Sequence, residues 1–160
     1  ALAAASIYSV EGLAGLFGRV LFGTLADRIG VRRVIVGGLA LQAIGIYTYI
    51  YVTDLTQFYA LAAVLGLAYG GVMPLYSVLA REYFSQKVMG TVLGALVMVS
   101  SIGMAGGPVG GGWLYDTFGT YHWLYIASAA IGIGGAALAL VFPPARKDAD
   151  DTAAGAPQPA

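Results

Sequence analysis

Apolar positions fall into five long runs separated by four short polar connections. The runs lie at about 2–26, 34–52, 57–80, 88–112 and 122–142, and the first is broken only by Glu11 and Arg19. A helix needs about 20 apolar residues to cross the hydrocarbon core, and each run meets that length. The pattern therefore predicts an all-α integral membrane fold of five transmembrane helices spanning residues 1–142. The remainder, "PPARKDADDTAAGAPQPA" (143–160), is rich in Pro, Ala and Asp and is expected to be a disordered tail.

Composition agrees with lipid as the main solvent. Of 160 residues, 59% are hydrophobic and 10% charged, against roughly 25% charged in soluble domains. Eight basic and eight acidic side chains cannot cover a protein of this size with a polar shell. Zero net charge removes the case for a nucleic-acid surface. The absence of cysteine excludes a disulfide framework, a thiolate nucleophile and a cysteine metal site. His122 has no companion ligand nearby, so no metal or cofactor is implied. No basic segment precedes the first apolar run, which is too long for a cleavable signal peptide. The chain starts at Ala1 rather than Met, and is expected to be a fragment or a truncated product.

The charges predict a topology. Arg28, Arg32 and Arg33 lie in the first connection, Arg81 and Lys87 in the third, and Arg146 and Lys147 in the tail. The second and fourth connections carry only Asp54 and Asp116. Basic residues favour the cytoplasmic side, so the N-terminus is expected outside and the C-terminus in the cytoplasm of a plasma or bacterial inner membrane. Tyr47, Tyr49, Tyr51, Phe58, Tyr59, Trp113, Tyr115, Tyr121 and Trp123 gather at the predicted outer interface, where amphipathic rings settle.

Glycines spaced by four (Gly66/Gly70, Gly90/Gly94, Gly103/Gly107, Gly106/Gly110) predict closely packed membrane helices. Pro74 and Pro108 are candidate helix hinges, the second within "GMAGGPVGGG". That run lacks the Gly-Lys-Ser/Thr ending and preceding strand of a phosphate loop.

Two charges fall inside an apolar run. An arginine at bilayer depth costs at least about 2.5–3.5 kcal/mol on insertion scales, so Arg19 is expected to face a cavity or a partner. Glu11 lies two turns away on a similar side, with Gly15 between them and Gly23 beyond. The face Glu11–Gly15–Arg19–Gly23 is expected to be polar and open. A planar guanidinium suits bidentate carboxylate recognition.

"GTLADRIGVRR" (23–33) resembles the signature turn of the major facilitator superfamily, with glycine, aspartate, arginine and glycine at that family's spacing. "YGGVMPLYSVLAREYF" is similar to the tenth helix of its monocarboxylate and oxalate/formate branch, and "GGPVGGGWLYDTFGTYHWLYIASAA" to the eleventh and twelfth. The resemblance covers the chain up to the tail and numbers the five spans as helices eight to twelve. It implies a major-facilitator-type bundle missing its other half. The implied activity is secondary transport of a small organic anion, a mono- or dicarboxylate, by proton symport or anion exchange through alternating access. Arg19, four residues before Gly23, resembles the helix-eight arginine that binds substrate carboxylate. Tyr69, Tyr76, Ser100 and Met104 fall on helices ten and eleven, which line the cavity in that fold. Glu11 is a candidate for carrying the coupled proton. Gly23, Asp27, Arg28, Gly30, Arg33, Arg81 and Glu82 form the implied cytoplasmic gate, with Gly30 making the sharp turn.

Three departures stand. Val31 occupies a position where the family often has a basic residue, the acidic partner one turn before the arginine is Gly15, and helix eleven lacks a lysine. A drug or sugar carrier of the same family is an alternative, as is a half-transporter with a structural or regulatory role. Nothing resembles an enzyme's catalytic constellation. The implied partners are the small organic anion, protons, the lipid bilayer and an N-terminal half.

Overall fold

The computed structural model describes residues 2–141, with side chains from Ser6 onward. Five α-helices follow one another: α1 (Leu2–Ile29), α2 (Val31–Thr48), α3 (Leu55–Tyr83), α4 (Met89–Phe118) and α5 (His122–Val141). Short 3₁₀ turns at Tyr49–Tyr51 and Gln86–Val88 extend α2 and precede α4. All five are long and apolar enough to span a membrane. The predicted tail, with Arg146 and Lys147, lies outside the described residues.

α1, α3 and α4 overrun their apolar runs because polar rim residues continue a helix until something stops it. Gly30 stops α1. Its φ of 95° is a conformation that L side chains rarely adopt. Its N–H still closes the last turn of α1 on the Ala26 carbonyl (2.9 Å), while its own carbonyl accepts from Val34 (3.3 Å) to start α2. One residue thus reverses the chain, as the sharp turn expected there requires. Gly119 ends α4 in the left-handed region, φ 67°, donating to the Tyr115 carbonyl at 2.8 Å. Pro74 and Pro108 sit inside continuous helices. Neither has an N–H, so the carbonyls of Gly70 and Met104 lose their usual donors.

Alternating helices place α1 parallel to α3, and this pair forms the main seam of the bundle. In lipid, helices associate through close packing rather than hydrophobic transfer, so small residues decide which surfaces meet. A Cβ added at Gly66 would strike the Glu11 main chain, one at Gly70 the Gly15 main chain, and one at Gly18 the Leu67 main chain. Phe22 lies across Gly71, where an added Cβ would come within 2.6 Å of the ring. The core continues into α2 through Val31, Val34 and Ile35 against Ala68, Val72 and Leu75. On its other side α2 packs on α5, with Gly132 against Ala43.

α4 is held near its two ends. Val92 and Leu96 approach α3 and α5 near one end, and Gly111 meets Leu124 near the other. Between them, residues 97–110 are exposed. The expected close packing at Gly90, Gly94, Gly103, Gly106, Gly107 and Gly110 is absent among the described residues, since an added Cβ there meets nothing within 4 Å. Of the four spaced glycine pairs, Gly66/Gly70 alone forms a seam among the described residues.

Candidate functional site on the α1–α3 face and at the basic end

The two ends of the bundle differ in chemistry. One end carries stacked rings: Tyr49 on Tyr125 (5.8 Å between centroids), Tyr115 on Tyr121 (4.4 Å) and Phe118 beside Trp123 (5.9 Å). The other gathers Asp27, Arg28, Arg32, Arg33, Arg81, Glu82 and Lys87. This is the segregation expected from the loop charges.

Arg19 lies eight residues, or about 12 Å at helical rise, from Asp27 toward the middle of α1. It is exposed and makes no hydrogen bond or ion pair among the described residues. Its neighbour Gly18 points into the seam, so Arg19 turns onto the flank. The expected open face is therefore only half open. Gly15 packs against the Gly66 carbonyl and the Gly70 Cα, and Glu11 is half-buried with its main chain on Gly66. Arg19 and Gly23 remain on the open part. An added Cβ at Gly23 meets nothing within 4 Å, and the close approach of α1 to α3 occurs deeper, at Gly18.

Across the seam, Tyr69, Met73 and Ser77 follow one another at four-residue spacing and are exposed. With α1 and α3 parallel and advancing in the same hand, this stripe turns to the same side of the seam as Arg19. Ser100 and Met104 lie on the open middle of α4, where the neighbouring Ser101 hydroxyl donates back to the Val97 carbonyl at 2.9 Å. No described contact joins them to Arg19. Tyr76 goes elsewhere: with Arg32 it lines a cavity of about 550 Å³ among α2, α3, α4 and α5 near the basic end. The five candidate binding residues are thus distributed over three places.

Asp27, Arg28, Arg33, Arg81 and Glu82 are exposed at the basic end, and no ion pair joins them among the described residues. The long-range link formed there involves Arg32, which was not among the expected gate residues. Its Nε donates to the Ala139 carbonyl at 3.0 Å and its Nη2 to the Leu140 carbonyl, both in the last turn of α5. In a continuing helix those carbonyls would accept from residues 143 and 144. Both are proline, with no N–H to give. Arg32 therefore supplies the donors that Pro143 and Pro144 cannot, and its charge suits the negative end of the helix dipole. The Pro-Pro pair was the sequence signal for this partner, but nothing local pointed to a residue more than 100 positions upstream.

Fold and charge segregation define a polytopic α-helical membrane protein. A family model for the Major Facilitator Superfamily matches residues 1–160, and the chain belongs to that family. It is 29% identical over 131 residues to the Multidrug resistance protein B homolog of Mycobacterium tuberculosis, covering 81% of this chain and 24% of that protein. It is 31% identical to a Triacylglyceride transporter of Mycobacteroides abscessus (71% and 23% covered) and 35% identical to a putative niacin/nicotinamide transporter of Bacillus subtilis (61% and 24%). The chain spans about a quarter of the length of these relatives. No solved structure matches it.

Proposed function

We propose that this chain contributes the eighth to twelfth helices of a secondary transporter that moves a small organic anion, a mono- or dicarboxylate, by alternating access. One observation carries the substrate class: Arg19 stands toward the middle of α1, exposed and without a partner among the described residues, on the side of the seam to which the Tyr69–Met73–Ser77 stripe turns. A guanidinium at that depth is too costly to be kept for packing, and an anionic solute in an aqueous cavity is the partner it lacks. Its fork geometry favours a carboxylate, with the stripe enclosing the solute's apolar part. The basic end faces the cytoplasm, where Asp27, Arg28, Gly30, Arg33, Arg81 and Glu82 border the gate. Glu11, half-buried on the α1–α3 seam, carries the coupled proton. Transport requires the other half of the bundle, because sites of this kind lie between repeats.

The test uses the full-length transporter containing this segment, reconstituted in vesicles and offered labelled lactate, formate or oxalate across pH. Arg19→Lys should lose most uptake with expression and insertion unchanged, because a point charge cannot reproduce the bidentate fork. Arg19→Ala should cost at least about tenfold in affinity. Glu11→Gln should alter the pH dependence. Parent-like uptake by Arg19→Ala would reject the anion site. A second reading, a carrier of lipophilic solutes, is supported by the relatives named for multidrug resistance and triacylglyceride transport. It expects Arg19→Ala to retain transport of such solutes and the parent to move no carboxylate.

A further inference from the structure

The cavity near the basic end is separate from the Arg19 face and has its own chemistry. Its walls are almost wholly apolar, including Leu39, Leu79, Leu96 and Leu138, while the Arg32 guanidinium stands at one side. At about 550 Å³ it has the size of a ligand site, within the roughly 300–1,000 Å³ typical of such pockets. Leu96 and Leu138 are themselves exposed, so the cavity opens onto the outside of the bundle.

Arg32 is fixed in place. Two of its five N–H groups are held by the Ala139 and Leu140 carbonyls, which prevents the side chain from swinging away into water. Three remain, and no carboxylate pairs with it among the described residues. Around it, among the described residues, the basic end carries Arg28, Arg33, Arg81 and Lys87 against Asp27 and Glu82. A basic pocket between membrane helices at a positively charged end is suited to an anionic lipid headgroup.

We propose that this cavity binds an anionic phospholipid of the adjacent leaflet, its phosphate on Arg32 and an acyl chain between α2, α3, α4 and α5. The lipid fills the gap beside α4 and ties that helix more firmly to the bundle.

The experiment is native mass spectrometry of the full-length transporter extracted from nanodiscs of phosphatidylglycerol mixed with phosphatidylcholine. The parent should retain phosphatidylglycerol in preference to phosphatidylcholine. Gly135→Leu is the decisive variant: Gly135 lines the cavity, and an added Cβ there meets nothing within 4 Å, so the side chain fills space without displacing a helix. It should abolish the retained lipid. Arg32→Gln should reduce the preference for phosphatidylglycerol about fivefold. Added inorganic phosphate should not displace the lipid, since the acyl chain provides much of the binding. A parent with no preference, an unchanged adduct in Gly135→Leu, or displacement by phosphate alone would each overturn the proposal. The first would mean that the transporter's other helices occupy the cavity.

Discussion

Arg32 shows how one side chain can join distant parts of a membrane protein. Replacing it removes two charge-assisted donors from the Ala139 and Leu140 carbonyls, whose ordinary helical partners at 143 and 144 are prolines. Arg32→Gln should therefore destabilise the full-length protein by about 1–3 kcal/mol, read as a lower melting temperature in detergent. Substituting Pro143 and Pro144 by alanine in the Arg32→Gln background should recover part of that loss by restoring the missing N–H groups. No recovery would mean that Arg32 acts through something other than the carbonyls. Gly30 makes a different contribution. Its φ of 95° is available to glycine with little strain, and Gly30→Ala should cost about 1–3 kcal/mol, seen as a drop in the same melting temperature with the substrate-dependent shift preserved.

At the scale of helices, the α1–α3 seam is the element whose failure should matter most. Gly18 presses on the Leu67 main chain, which cannot rotate aside as a side chain could. Gly18→Val should part the helices and cost about 1–3 kcal/mol of overpacking, whereas Gly12→Ala, on the same helix with nothing within 4 Å of its added Cβ, should be nearly silent within this bundle. Equal effects on yield and monodispersity in size-exclusion chromatography would show that the seam is not what holds α1. Spacing alone could not rank these glycines. Gly66/Gly70 and Gly90/Gly94 look alike as text, and only packing reveals that the first pair meets a backbone and the second meets open space.

For the whole molecule, the separation of rings from cations makes orientation testable. The chain has no cysteine, so once any cysteine elsewhere in the full-length protein is replaced, single cysteines placed here report their side of the membrane without background. In the full-length protein, Ser85→Cys beside the basic end should react with a membrane-impermeant maleimide only from the cytoplasmic side, and Thr120→Cys at the aromatic end only from outside. The reverse pattern would invert the proposed topology. Helix number, the polarity of the bundle, the turn at Gly30 and the family were all legible in the sequence, because each depends on local chemistry: length against membrane thickness, charge against the interface, glycine against a backbone angle. The partnerships were decided by the tertiary structure. Tyr76 leaves the expected binding group for the cavity with Arg32, Gly15 is closed against α3, and Arg32 finds carbonyls at the far end of the chain. Periodicity states how far a residue turns around its own helix, but which neighbour it then meets depends on how all the helices pack together.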